Sequence, residues 1–412
     1  MLEFICNFFK LDQQSIIHSL SPLVHFSILF GTTCLRIEDN GQTCCYRFFD
    51  LPRLLNSVWT VYYIYNCFSI CVATDQPTTY YLRSLCFSGT TIETFHIILP
   101  FFNGFSLVRE INEIVKFDSH IESLVPKVKP FHHSRSGLLG ALLQCSIVCV
   151  VYSAILYDYI RMRRRVIFMI SLFFINMHNL DVSTWFLVMS HELYRRFQWL
   201  KVEIVETVSR LESGLCERER DGKSRDNVEE KNERFIESNL SEDEILLENL
   251  RLCYSRLLSI SNDVVSTFGF GMFITIYQIF ITTVFNDFYT YMYLVRELNA
   301  GFILAVGHKL LIVWISVYFS EKLMDESNAI LGHLELVRIS RLSKFARLQV
   351  EILQAQVNAK PLVVHICNMF VLNRFFYAAM LSTMLTWIIV MMQMISTITT
   401  GGADKGALPR HL

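Results

Sequence analysis

Residues 370–397 read FVLNRFFYAAMLSTMLTWIIVMMQMIST, a run with no acidic side chain and a single interior cation, Arg374, near its start. About 20 apolar residues cross roughly 30 Å of hydrocarbon, so the stretch predicts a transmembrane helix. Its polar groups share a face. At about 100° per residue, Thr386, Gln393, Ser396 and Thr397 fall within roughly 60° of Ser382; Ile389 sits among them, whereas Met391 points the opposite way. Hydroxyl and amide groups facing lipid would lose their water partners, so this face must meet protein or water. If several copies surround an axis, Ser382, Thr386, Ile389, Gln393 and Thr397 line a hydrated pore with Ile389 as a dewetting constriction. The alternative is polar contact between helices of one chain.

The remainder of the chain extends this reading. Of 412 residues, 52% are hydrophobic and 18% charged, and the mean hydropathy is +0.36, a balance that one water-soluble core could not hide. Segments 52–74, 85–107, 137–159, 166–190, 266–288 and 298–320 also have the length and apolarity of spans. The fold class expected is therefore all-α, a seven-transmembrane helical membrane protein. Lys and Arg concentrate before the first span and in 108–136, 191–265 and 321–369, which puts those segments and the N-terminus in the cytoplasm and the C-terminus outside. Arg161, Arg163, Arg164 and Arg165 disagree, because they fall in a short outer turn.

The domains expected are a cytoplasmic segment 1–51, spans 1–4 in 52–192, cytoplasmic helical extensions in 193–265, spans 5 and 6 in 266–320, a cytoplasmic anchor in 321–369, span 7 in 370–397 and an outer tail 398–412. Within 1–51, the stretch 16–35 is apolar but interrupted by His18, Ser19, Ser21, Pro22 and His25, which predicts an amphipathic or dipping helix. No basic start, apolar run and cleavage site mark a signal peptide, so the N-terminus is expected to be retained. After span 4, Leu193, Phe197, Leu200, Ile204, Val208 and Leu211 form one helical stripe. Leu247, Leu250, Tyr254, Leu257 and Val264 form a second, and Leu342, Phe345, Leu348 and Ile352 a third. Three uncovered apolar stripes predict a cytoplasmic bundle joining subunits, the alternative being solvated helices with one apolar face each. Between the first two, 213–244 is dense in charge and predicts a disordered insertion.

Several function classes are excluded. The net charge is −1 and the pI about 6.9, so no basic field points to nucleic acid. The 12 cysteines lack metal-site or disulfide-framework spacing, and no cofactor or metal is expected. No phosphate-binding Gly-Lys-Ser/Thr loop, His-Glu-x-x-His or Gly-x-Ser-x-Gly gives catalysis a seat, so no enzyme is expected. Neither an Asp-Arg-Tyr ending span 3 nor an Asn-Pro-x-x-Tyr in span 7 supports a G-protein-coupled receptor. The lone glycosylation acceptor, Asn239 with Ser241, lies on the expected cytoplasmic side.

Polar groups at membrane depth face protein or a water-filled cavity. Candidates for the walls of a ligand pocket are Glu93, His96, Tyr152, Tyr157, Asn176, His178, Tyr277, Gln278, Thr282 and Glu297. Asp181 and Lys309, near mid-membrane on spans 4 and 6, are expected to form an ion pair, since either charge alone is costly there.

Thr386-Trp387, the apolar run Ile388 to Met392, then Gln393-Met394 resembles the insect gustatory receptor signature of Thr-Tyr, an apolar run and Gln-Phe in the last span. Phe370-Val371-Leu372-Asn373-Arg374-Phe375-Phe376 resembles the family's approach to that helix. The resemblance implies a tastant-gated, non-selective cation channel in the plasma membrane of gustatory neuron dendrites, homotetrameric or heterotetrameric with other gustatory receptors. It also implies that the last helices line the pore, with Thr386 and Gln393 on them, that the tastant sits among outer helix halves, and that cytoplasmic helices anchor subunits together. Sugar receptors of the family carry Glu where this chain has Ile388, and the tail from Thr400 is longer than usual. A secondary transporter and an accessory receptor subunit are the competing readings.

Overall fold

The computed structural model describes residues 16–29, 32, 35–38, 43–46, 51–72, 104–125, 136–147, 153, 166–222, 241–294 and 300–403. In chain order the elements are α1 (Ile16–Leu29), a hairpin of β1 (Leu35–Ile37) and β2 (Cys44–Tyr46), α2 (Leu51–Val72), α3 (104–124), α4 (Ser136–Ile147), α5 (Val166–Gly222), α6 (Glu242–Leu294), α7 (Ala300–Glu335), α8 (Lys344–Ala359), a hairpin of β3 (His365–Ile366) and β4 (Phe370–Val371), and α9 (Arg374–Ala403). Helices dominate, as the periodicity predicts. Two of them, over Glu242–Ile281 and Arg374–Gln393, are long and apolar enough to cross a membrane among the described residues.

The apolar stripes beyond span 4 and before span 5 form the heart of the core. On α5, Leu193, Phe197, Leu200, Ile204 and Val208 are buried against Leu247, Leu250, Tyr254, Leu257 and Val264 of α6. The Phe197 and Tyr254 rings meet edge to face at 6.0 Å, a preferred aromatic geometry. The third stripe is different. On α8 the buried residues are Ala346, Gln349, Val350, Leu353 and Val357, while Leu348 is 51% exposed and Phe345 and Ile352 are half-buried. The helix has apolar residues on two sides, and packing on α6 and α7 selects the side with small Ala346 and branched Val350, where the axes can approach closely.

The helices also depart from the expected boundaries. The charged stretch 213–244 is helical at both ends, because α5 runs on to Gly222 and α6 begins at Glu242. Ser241 and Glu244 form a reciprocal capping box, Ser241 N donating to Glu244 Oε2 at 2.9 Å and Glu244 N to Ser241 Oγ at 3.3 Å. Glu242, Asp243 and Glu244 place negative charge at the helix N-terminus, where the backbone dipole favours it. At the other end of the chain, 370–371 belongs to a strand rather than to the last span. The turn before it carries Cys367 and Asn368 at φ 51° and 56°, with Met369 N bonded to Ile366 O at 2.9 Å, which is the twist a tight hairpin needs. Asn373 then caps α9 through Phe376 N at 2.8 Å. The helix continues to Ala403, so the first residues of the expected tail 398–412 are helical.

α1 is largely buried within its own chain. Ile16, Ile17, Leu20, Leu23 and Val24 are all below 5% exposed, and α1 packs on α4. Gly137 makes this possible, since a Cβ there would lie 2.1 Å from the Ser19 carbonyl oxygen. The first hairpin is pinned to α3 by Asn112, whose amide both accepts from Cys44 N and donates to Cys44 O at 3.0 Å.

Candidate functional site

α9 touches the rest of its protomer along one edge. Met380, Met384 and Met391 are buried, whereas Ser382, Thr386, Ile389 and Gln393 are exposed. Over Arg374–Gln393 only 17% is buried, against 67% over Glu242–Ile281. Thr386 Oγ1 donates to the Ser382 carbonyl at 2.9 Å, which satisfies the hydroxyl within the helix. Thr397 lies in α9, but its side chain is outside the described residues. The polar stripe legible in the sequence thus turns away from its own chain, and Met391 packs inward as its opposite angle requires.

At its base α9 is tied to α7. Arg374 N donates to Glu321 Oε1 at 2.7 Å, the Arg374 Nε lies 2.5 Å from Glu321 Oε2, and Tyr377 donates its hydroxyl to Leu310 O at 3.2 Å. Phe370 and Phe376 stack at 4.1 Å beside this junction. Glu321→Ala removes both the ion pair and the backbone cap, and is expected to cost about 1 kcal/mol. Arg374→Ala keeps the cap and should cost less. Melting of the purified receptor ranks the two variants.

A crevice opens between α5, α6 and α7, lined by Leu180, Ser183, Thr275, Gln278, Ile279, His308, Lys309 and Ile312. Its free volume is about 20 Å³, room for a water and far below a drug-sized site. Thr275 Oγ1 is buried without a hydrogen-bond partner. Of the expected pocket residues, Gln278 lines this crevice, beside Lys309 from the expected ion pair, and Tyr277, 43% exposed, faces outward. Asn176 and His178 lie on α5 and Thr282 on α6, with side chains outside the described residues. Glu93, His96, Tyr152, Tyr157, Glu297 and the cluster Arg161 to Arg165 lie outside the described residues altogether. Ser183, Thr275 and His308 escaped the sequence reading, because single polar groups in apolar runs carry no directional signal.

The expected Asp181–Lys309 pair does not form. Leu180 and Ser183 face the crevice, and Asp181 is turned about 100° from Leu180 by the helix, toward α1 and α4, where it accepts from Ser27 Oγ at 2.5 Å and Gln144 Nε2 at 3.2 Å.

Farther down α5, beyond span 4, Arg196 is fully buried between two carboxylates. It donates to Asp118 Oδ1 and Oδ2 at 2.9 and 2.5 Å and to Glu192 Oε2 at 2.9 Å, and its Nη1 also reaches Glu192 O at 2.8 Å. Burial opposes its charge, but Asp118 and then Glu192 outweigh burial and hold the guanidinium above its usual range. The cluster clamps α3 to α5.

Long helices packed in one bundle, two of them of membrane-spanning length among the described residues, and a last helix that buries little of itself in its own chain define a helical membrane-protein architecture. The model of the 7tm Chemosensory receptor family matches residues 20–398, and the chain belongs to that family. Two solved structures share the fold. The insect olfactory receptor OR5 from Machilis hrabei in complex with eugenol is 12% identical, with a TM-score of 0.60 over 92% of this chain and 99% of that one. A second structure of the insect olfactory receptor OR5 from Machilis hrabei is 11% identical, with a TM-score of 0.62 over the same shares, 92% and 99%. No curated protein sequence matches the chain. The protein is therefore a membrane chemoreceptor with the seven-span helical fold of insect olfactory receptors.

Proposed function

We propose that this chemoreceptor is a gustatory receptor, a tastant-gated non-selective cation channel of the plasma membrane in gustatory neurons, built as a homotetramer or as a heterotetramer with related chains. The observation that carries this reading is the exposed stripe of Ser382, Thr386, Ile389 and Gln393 on a helix that buries little of itself within its protomer. Polar groups in a membrane need partners or water, and four copies facing a common axis supply both. The N-terminus lies in the cytoplasm and Thr397 lines the outer end of the pore. With no charged group along the stripe, only hydroxyls, an amide and Ile389, the pore discriminates weakly among cations. The bundle of α5, α6 and α8 anchors neighbouring subunits through the exposed Leu348 side of α8.

The ligand is a small organic molecule, the kind of compound the related olfactory receptor binds as eugenol. Polar residues along spans 2 to 6, from Glu93, His96, Tyr152, Tyr157, Asn176, His178, Tyr277, Thr282 and Glu297 to Gln278 in the crevice, supply its contacts. A ligand that binds the open state more tightly shifts the balance toward opening.

The test is expression of the chain alone in cells, with sugars, bitter compounds, amino acids and eugenol applied during current recording. Ile389→Ala is expected to raise the resting current severalfold by wetting the constriction, and Gln393→Ala to change relative cation permeability. Saturable, slow flux insensitive to both substitutions would favour a transporter; silence with every compound would favour an accessory subunit.

A further inference from the structure

We propose that Asp181 anchors a binding site for one small monovalent cation, sodium in preference to potassium, where α1, α4 and α5 meet. Asp181 is 4% exposed, midway along a span, and no Lys, Arg or His contacts it among the described residues. Its hydrogen bonds come from neutral groups, Ser27 Oγ at 2.5 Å and Gln144 Nε2 at 3.2 Å, while the Thr32 hydroxyl beside them donates to the Ser27 carbonyl at 3.1 Å. A carboxylate without a counter-charge is costly at this depth, and neutral donors offset only part of that cost.

A second observation points to what completes the site. Gln144 is 0% exposed, yet its Oε1, on the same amide that reaches Asp181, has no hydrogen-bond partner. A buried acceptor beside a carboxylate favours a positive ligand, because among the described residues no donor reaches Oε1 and another acceptor would be repelled. A half-turn of the amide brings Oε1 to the carboxylate side, so that Asp181, Gln144, Ser27 and Thr32 present oxygens together. Oxygen donors of this kind suit hard cations. One carboxylate among neutral groups balances a single positive charge; a divalent ion would leave one charge buried and unmatched. The size is limited as well. Helices α1 and α4 approach closely at Gly137, and Trp185 Nε1 closes on Ser27 Oγ at 3.2 Å, a tight setting that favours the smaller ion. Bound there, sodium ties the N-terminal helix to spans 3 and 4, so occupancy sets how firmly α1 is held.

This inference is independent of pore function and needs no tastant. The full-length receptor, purified in detergent, is melted with tryptophan fluorescence as the readout, in sodium, potassium or N-methylglucamine chloride at equal ionic strength. The wild type should melt several degrees higher in sodium than in N-methylglucamine, with saturable dependence on sodium and a smaller effect of potassium. Asp181→Asn, which keeps the shape and removes the charge, should abolish the sodium effect. If that variant does not fold, Gln144→Leu should weaken the sodium dependence to higher concentrations. Equal melting of the wild type in all three salts would overturn the proposal, as would a sodium effect that survives in Asp181→Asn. Stabilisation by acid alone, without any sodium response, would overturn it in favour of a proton at Asp181.

Discussion

Arg196→Met is expected to destabilise the receptor by roughly 3–5 kcal/mol, the usual consequence of removing one partner from a buried charge cluster. The reason is local and specific. Glu192 and Asp118, whose side chains are 1% and 14% exposed, would face each other across an apolar residue with no cation between them. Surface expression and the melting temperature should both fall sharply. Adding Asp118→Asn and Glu192→Gln to the same chain should recover much of the loss, since neutral amides need no counter-charge. The pH dependence has a definite sign. Unpaired buried carboxylates have raised pKa values in the folded state, so the folded variant takes up protons more readily than the unfolded chain. The deficit of Arg196→Met should therefore shrink as pH falls toward about 5 and be largest at neutral pH. A deficit independent of pH and of the two amide substitutions would show that Arg196 acts through packing alone.

Gly137→Ala should have an effect of similar size. The added Cβ would lie 2.1 Å from the Ser19 carbonyl oxygen and 2.7 Å from the Leu20 Cα, both backbone atoms that cannot rotate aside. Ordinary overpacking costs about 1–3 kcal/mol, and here relief requires moving α1 as a whole, which also strains the hydrogen bonds of Ser27 to Asp181 and Trp185. Loss of the monodisperse receptor in size-exclusion chromatography is the expected readout. Gly332→Ala is the matched control, because nothing lies within 4 Å of a Cβ there; it should be neutral or slightly stabilising, as alanine favours helix by about 0.5–1 kcal/mol. If both substitutions behave alike, close approach at Gly137 is not what seats α1.

The architecture was legible wherever it follows from a local repeat. The stripes through Phe197 and Tyr254 and the polar face from Ser382 to Gln393 are periodicities, and helix geometry converts each into a direction. Residues 382–393 could be assigned to opposite sides of one helix because angle depends on spacing alone. Where two directions were equally apolar, as on α8, periodicity offered no choice, and the selected face carries Ala346 and Val350 instead of Phe345 and Leu348.

The chain by itself thus determined that it is a helical membrane protein and which faces of its rods are polar or greasy, because hydration and helical pitch act residue by residue. Tertiary structure alone decided who meets whom: Arg196 with Asp118 across 78 positions, Asp181 with Ser27 across 154 instead of with Lys309, and the docking of α1 through Gly137. Such pairings depend on axial register and rotation between helices far apart in the chain, quantities set by the sum of many packing contacts and written in no single segment.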